Sequence, residues 1–318
     1  MHSRQSGALL FCVCSVPAVL LLPKLHPAAV VISAALAIGL WMIASKGSLK
    51  IENHIVCFAM SVLLVLLLGR AAQFTGISYP TAKHTLWMEL LLLALAVYAA
   101  GGGIERILRV SAICFFFLIA IYSLIAVFSL KNINVIYPTG VLRPKIGYTA
   151  LAWVFLPILL CLYAEIDVKE KRGIWAAVLF VLFVLPTILV WICQSRDFVG
   201  YEEFPFYAMV KTIRAFRVME RFEPILSAAL TAGNFCLMST LCVLLEKNLQ
   251  KEIPACGKRV RAVAEFLLAA GICTQKTPLP DILIAFVAPI LCSVLGVSAL
   301  CKKSSKKDEK TVDKPPAF

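Results

Sequence analysis

Charged residues are scarce in this chain: Asp, Glu, Lys and Arg make up 15% of its 318 residues, and histidine occurs only four times. About a quarter of the residues of a soluble globular domain are charged, so the scarcity argues against a soluble enzyme. The histidines are scattered and no Cys-x-x-Cys pair is present, so the sequence shows no recognisable metal site. Motifs for hydrolase nucleophiles, zinc proteases, phosphate loops and dinucleotide binding are also absent. We therefore expect no enzymatic activity, no cofactor and no metal.

Apolar residues dominate the composition. They make up 61% of the chain, and the mean hydropathy is +0.89, which indicates an all-α polytopic membrane protein. We predict ten membrane spans, at roughly 7–23, 28–45, 54–78, 85–101, 107–130, 146–165, 173–193, 224–246, 260–275 and 282–301. The ninth span is the weakest, because it contains Arg261 and Glu265. The third span either includes Arg70 and Gln73 or ends at Gly69.

Basic residues outnumber acidic residues by 31 to 18, which gives a net charge of +13. Most of the Lys and Arg residues lie between apolar runs or in the tail, and this distribution fits the positive-inside rule better than a nucleic-acid surface. With the N-terminus inside, the cytoplasmic segments hold the larger share, so we expect both termini to be cytoplasmic. Residues 302–318 are expected to form a disordered, basic cytoplasmic tail next to the membrane.

The first and the sixth apolar runs are interrupted by prolines at corresponding positions, Pro17 in the first and Pro157 in the sixth. Each proline removes a helix hydrogen bond, and the freed carbonyl groups need an internal partner or a watery cavity. Matched interruptions point to a transporter-type binding site; the alternative is that each proline only kinks an ordinary span. Ten spans divide into two repeats, at about 7–130 and about 146–301. We therefore predict a 5+5 inverted-repeat amino-acid-permease fold within one domain, residues 1–301.

The candidate ligand-binding residues lie at these interruptions or are polar side chains within the apolar runs. They are Ser15, Val16, Pro17, Arg70, Gln73, Trp153, Phe155, Pro157, Thr231 and Asn234. Freed backbone groups at the prolines would bind a small zwitterion between apolar walls formed by Trp153 and Phe155. Arg70 would bind a carboxylate, pair with Glu89, or extend to the interface. Thr231 and Asn234 would line the cavity or form interhelical hydrogen bonds.

The connection between the seventh and eighth spans contains an amphipathic pattern that begins at Pro205. Its apolar arc comprises Phe206, Met209, Val210, Ile213 and Phe216, and its basic arc comprises Lys211, Arg214, Arg217 and Arg221. We expect a helix in the membrane interface, with its basic side toward headgroups or a partner. The alternative is a helix that packs on the protein.

Several stretches carry a family resemblance in the right order along the chain. They are Ser-Arg-Gln at 3–5, Leu-Leu-Leu-Pro at 20–23, Gly-Ile-Glu-Arg-Ile-Leu-Arg at 103–109, the segment 132–138, Phe-Pro-Phe-Tyr-Ala-Met-Val-Lys-Thr-Ile-Arg at 204–214 and Met-Glu-Arg-Phe-Glu-Pro at 219–224. In these stretches the chain resembles the spore germination permeases, the B subunits of nutrient germinant receptors. It departs from the family pattern at Ser15–Pro17, where a glycine-containing break is usual, and at Leu108 and Glu223, which replace an alanine and an aspartate.

The resemblance implies the ten-helix fold of the amino-acid/polyamine/organocation permease superfamily. It also implies that the chain senses an amino acid or another nutrient in the spore inner membrane or the cell membrane, bound between spans one, three, six and eight. A membrane-anchored A subunit and a lipoprotein C subunit are the implied partners. The candidate subunit-contact or structural residues are Glu105, Arg109, Lys211, Arg214, Glu220 and Arg221. The alternatives are a secondary transporter of amino acids coupled to a cation gradient and a structural membrane protein without a ligand.

Overall fold

The computed structural model describes residues 2–44, 54–78, 85–129, 153–158, 171–193, 204–212, 223–252, 258–274 and 284. Every regular element within these residues is a helix. The α-helices are α1 (His2–Leu20), α2 (Pro27–Ala44), α3 (His54–Ser78), α4 (Thr85–Ala100), α5 (Ile104–Ser129), α6 (Arg172–Cys193), α7 (Pro205–Thr212), α8 (Glu223–Glu252) and α9 (Lys258–Thr274). Short 3₁₀ helices occur at Leu22–Lys24 and Trp153–Phe155.

Eight of the ten predicted spans coincide with a described helix, and the other two, the sixth and the tenth, lie mostly outside the described residues. Within the described part, five helical segments are long and apolar enough to cross a bilayer. They are Gln5–Lys24, Phe58–Thr75, Ile104–Ser129, Arg172–Cys193 and Glu223–Gln250. Helices α2 and α4 are apolar but shorter. The chain is therefore an all-helical integral membrane protein, and its 5+5 repeat stays a prediction.

Helix α1 is the centre of the molecule. In its membrane-length window, 94% of the residues are buried, because α1 packs against α5, α6 and α8. Helix α8 joins this group to a second one, in which α3 packs against α4, α8 and α9. Helix α5 shows the opposite pattern: only 22% of its membrane-length window is buried, and Ile113 and Phe116 are among its exposed side chains. Its outer face is thus suited to contact lipid.

Two tight connections fix the order of the first helices. After α1 the chain turns through the 3₁₀ helix, and α2 begins at Pro27, whose fixed φ suits the first helical position. The Nδ1 atom of His26 accepts a hydrogen bond from the Ala28 backbone N–H at 3.2 Å and caps α2. Between α4 and α5, Gly103 has a φ of 80°, a left-handed conformation that favours glycine. The glycine run at 101–103 is therefore a helix stop.

The expected break at Pro17 is wrong, because α1 continues as an α-helix from His2 to Leu20 with Pro17 inside it. Pro17 lies in the last turn of the helix, so the missing N–H affects the end of α1 and not its middle. The α-helix changes to 3₁₀ geometry only after Leu20. In the sixth predicted span, Trp153–Phe155 are 3₁₀ and residues 156–158 are α-helical, so Pro157 stands at the start of an α-helical turn, where proline is tolerated.

Candidate functional site

Helix α1 meets α8 at Gly233, and two of the predicted ligand-binding residues form this contact. A methyl group on Gly233 would come within 3.0 Å of both the Ser15 Oγ and the Val16 Cγ2 atoms. This distance is shorter than ordinary van der Waals contact, so the missing side chain of Gly233 is what allows α1 to approach α8. The Ser15 hydroxyl donates a hydrogen bond to the Cys12 carbonyl within α1 at 2.7 Å.

One residue further along α8, Asn234 connects this contact to α3. Its Nδ2 group donates hydrogen bonds to the Ala71 carbonyl at 2.7 Å and to the Thr75 Oγ1 at 3.0 Å. The side chain is 1% exposed, and within the described residues its Oδ1 atom accepts no hydrogen bond. The interhelical hydrogen bond predicted as one role for Asn234 is thus present. Thr231, by contrast, donates to the Ser227 carbonyl of its own helix at 2.8 Å.

Arg70 and Gln73 both lie within α3, which continues to Ser78. The prediction that the third span includes them is confirmed, and the alternative that it ends at Gly69 is wrong. The Arg70 Nη1 donates a hydrogen bond to the Gln73 Oε1, and the Gln73 Nε2 donates a long bond of 3.5 Å to the Ile272 carbonyl of α9. These two side chains therefore connect α3 to α9.

Trp153 lies in the sixth predicted span and packs against α3. Its indole is 4% exposed, and its ring centroid lies 5.3 Å from that of Phe74 on α3. Phe155 is half-buried and Pro157 is buried. The structure thus places Ser15, Val16, Asn234 and Trp153 around the junction of α1, α3 and α8.

A cavity of about 570 Å³ lies between α1, α5, α6 and α7, and it is open on one side, where Ile119, Val181 and Leu185 are exposed. Its lining is apolar except for a few hydroxyl groups, and no residue of the predicted ligand-binding set forms it. The lining residues are Phe11, Val19, Ile119, Tyr122, Ser123, Ala126, Ala177, Val178, Val181, Leu182, Leu185, Pro186, Leu189 and Phe206. The sequence signals for this cavity are weak, because it depends on how the helices pair.

Tyr122 connects the cavity to the α1–α8 contact. Its ring lies 6.4 Å from that of Phe11, centroid to centroid, and its buried hydroxyl faces Ser15. Ser15 is therefore placed between the cavity on one side and Gly233 on the other.

The orientation of helix α7 differs from the prediction for the amphipathic segment. Phe206, Met209 and Val210 are buried against the protein, since α7 packs on α1, α6 and α8. For residues 205–212 the interfacial, lipid-facing orientation is thus wrong, and the alternative of a helix packed on the protein is confirmed. The remainder of the predicted amphipathic helix, including Arg214 and Arg221, lies outside the described residues, as does Glu220.

A polar cluster that the sequence reasoning missed attaches α7 to α8. The Tyr207 hydroxyl donates a hydrogen bond to the Glu223 Oε1 at 3.0 Å and shares a second one with the Ser227 Oγ at 2.9 Å. The Lys211 Nζ lies 3.4 Å from the same carboxylate oxygen and 5.1 Å from the Tyr207 ring centroid. Lys211 thus pairs with Glu223 of α8, and its candidate role in a subunit contact stays a prediction. The signal was available, because Tyr207, Lys211 and Glu223 belong to the two most specific motif stretches.

Glu105 and Arg109 are both exposed on the first two turns of α5. They lie one turn apart on the same side of the helix. Neither residue contributes to the junction or lines the cavity, so the structure keeps them apart from both candidate binding regions.

The comparisons with known proteins agree with the fold. No curated protein matches the chain. A family model described as "Spore germination protein" (Spore_permease) matches residues 72–253, which include α4 to α8 and more than half of the chain. This match confirms the resemblance found in the sequence motifs, and the family is one of permease-type membrane proteins, not of enzymes. The chain belongs to the spore germination protein family.

Proposed function

We propose that this chain is the nutrient-sensing membrane subunit of a spore germinant receptor, with ten spans in two inverted repeats. In this proposal it lies in the spore inner membrane with both termini in the cytoplasm, next to an A subunit and a lipoprotein C subunit. Membership of the spore germination protein family supports the role in germination. The apolar cavity between α1, α5, α6 and α7 supports the binding of a small molecule, and one of its lining residues, Tyr122, connects it to Ser15.

The composition of the cavity favours a particular nutrient class. Its walls are aliphatic and aromatic, Ser123 contributes a hydroxyl group, and the hydroxyl of Tyr122 is buried and faces Ser15. Apolar walls with a few convergent polar groups are typical of sites for small ligands. The apolar lining suits the side chain of an apolar amino acid.

The signal would be a movement of α1 relative to α8. Because the two helices are in close contact at Gly233, a ligand that changes the position of Ser15 also changes this contact. A coupling free energy of about 1–3 kcal/mol, typical of allosteric proteins, would then act on the partner subunits.

The test is to fill the cavity and measure germination. Ala126 lines the cavity on α5, and Ala120 is exposed on the same helix and outside the lining. In spores with the Ala126→Phe variant, we expect the nutrient concentration for half-maximal germination to rise about tenfold or more, equivalent to about 1.4 kcal/mol of binding. Spores with Ala120→Phe should germinate like the wild type. Immunoblots of spore membranes establish equal abundance.

Two outcomes would contradict the proposal. If Ala126→Phe spores with normal protein abundance respond like the wild type to every nutrient in a panel of amino acids and sugars, the cavity is not the sensing site. If the chain alone, reconstituted in vesicles, accumulates the nutrient when an ion gradient is applied, it is a secondary transporter.

A further inference from the structure

The open side of the cavity lies between α5 and α6, and two contacts between these helices frame it. At one end the Phe115 ring of α5 lies 5.8 Å from the Trp175 ring of α6, centroid to centroid. At the other end the Cys193 thiol of α6 donates a hydrogen bond to the Ser129 carbonyl of α5 at 3.4 Å. The lining residues on both helices lie between these contacts in the sequence. The two helices are therefore parallel, and they border the cavity between two points of contact.

The opening has an apolar edge near the middle of two membrane-spanning helices. Ile119 of α5 and Val181 and Leu185 of α6 are exposed, and all three lie in the central third of their helices. The opening is continuous with the outer face of α5, where Phe116 is also exposed. At this depth a bilayer contains hydrocarbon and no water. The opening therefore faces lipid acyl chains.

The cavity is elongated along the helices. On α6 its lining extends from Ala177 to Leu189, a rise of roughly 18 Å at 1.5 Å per residue, and on α1 it extends from Phe11 to Val19, roughly 12 Å. None of the described lining residues is charged, and cavities with apolar walls stay free of water. An empty cavity also loses van der Waals contacts along its walls. The shape and the lining therefore favour a linear, apolar occupant.

We propose that the opening between α5 and α6 admits one acyl chain of a neighbouring phospholipid, which occupies the cavity while the headgroup stays at the membrane surface. The bilayer supplies acyl chains at this depth, and a hydrocarbon chain fills the cavity without burying an unpaired polar group. Inside the cavity the chain contacts Phe11 and Val19, so the lipid composition acts on α1, the central helix. The proposal concerns the same cavity as the proposed function, but it does not rest on nutrient binding.

The experiment maps photo-crosslinks from a phospholipid with a diazirine in the middle of one acyl chain. The full chain is reconstituted with this lipid in nanodiscs, irradiated, digested and analysed by mass spectrometry. We expect crosslinks at Phe11 and Leu182, which are buried and line the cavity, besides those at exposed residues such as Ile113. Ala126→Phe narrows the cavity, so the ratio of cavity crosslinks to the Ile113 crosslink should fall about tenfold. Ala120→Phe, at an exposed position of α5 outside the lining, should leave this ratio unchanged.

A second measurement covers the case in which Ala126→Phe does not fold. With the diazirine at successive carbons of the acyl chain, the crosslinks in the wild type should move in one direction along α6, between Leu189 and Val178. The proposal is overturned if crosslinks occur only at exposed residues, because another protein segment or a second copy then closes the opening. It is also overturned if the cavity crosslinks change neither with diazirine position nor in folded Ala126→Phe protein. Because no nutrient is present, a failure of the germination test does not affect this result.

Discussion

The hydrogen bond between Asn234 of α8 and Thr75 of α3 is open to a quantitative test. The variant Asn234→Ala removes the two hydrogen bonds that the Nδ2 group donates to the Ala71 carbonyl and the Thr75 hydroxyl. Hydrogen bonds between side chains of membrane helices contribute about 0.6 kcal/mol on average and up to about 1.7 kcal/mol. Two such bonds give about 1 kcal/mol. Because the side chain is 1% exposed, an empty space adds a further cost, and we expect a total loss of about 1–3 kcal/mol.

A double-mutant cycle isolates the contribution of the Asn234–Thr75 hydrogen bond to the free energy of unfolding. Thr75→Val removes the hydroxyl acceptor and keeps the shape of the side chain. The unfolding free energies of the wild type, Asn234→Ala, Thr75→Val and the double variant, measured in mixed detergent micelles, should give a coupling energy of about 0.6 kcal/mol. For the control cycle, Thr240→Val replaces Asn234→Ala, since the Thr240 hydroxyl donates to the Cys236 carbonyl of its own helix. We expect no coupling there.

The cycle also separates the two predicted roles of Asn234. A coupling energy near zero for Asn234 and Thr75 would refute the interhelical hydrogen bond. If the bond is the main role, Asn234→Ala lowers protein abundance in spores and leaves the order of preference among nutrients unchanged. A changed order at normal abundance would instead assign a ligand contact to Asn234.

Two further predictions use the same micelle assay. Gly7→Ala would place a methyl group in steric overlap with the Trp175 indole, so the indole must move, and we expect a loss of about 1–3 kcal/mol. Gly39→Ala on α2, where no atom lies within 4 Å of the added carbon, should instead be neutral or stabilise by up to about 1 kcal/mol; equal effects at the two glycines would contradict the packing. Tyr207→Phe removes the hydroxyl that donates to Glu223, and we expect a loss of about 1 kcal/mol; an unchanged unfolding free energy would show that this bond does not hold α7.

The positions of the helices follow well from the sequence. Apolar runs of membrane length end where charged or helix-breaking residues begin, so the ends of α2 and α3 agree with their predicted spans within one residue. The misassigned break at Pro17 has a physical reason. The apolar run extends to Pro23, but the α-helix already ends at Leu20, and it begins five residues before the run, at His2. Hydropathy does not register polar residues that join a helix, so the apolar run places Pro17 near its middle, whereas the helix has it in its last turn.

The binding region is less accessible to sequence reasoning. Interruptions and polar residues within apolar runs selected Ser15 and Asn234, which lie at one helix junction, and their role in ligand binding stays a prediction. The cavity, however, is formed by side chains such as Ala126 and Leu185, which look like any other apolar residue of a membrane span. The faces of α5 and α6 that border the cavity are determined by which helices pack together. Helix packing leaves no periodic signal in a sequence whose helices are apolar on every side.

Helices α3 and α8 have a fixed antiparallel register, and this restricts which helix can move on binding. Asn234 bonds Thr75 near one end of the pair, and Asn248 bonds the Ser61 hydroxyl about four turns away, roughly 21 Å along the axes. Sliding one helix along the other would break both contacts at once. At Gly233, by contrast, α1 meets α8 through close packing, which a small rotation of α1 can change without loss of either asparagine contact. A ligand near Ser15 would therefore act by moving α1 against a stationary α3–α8 pair.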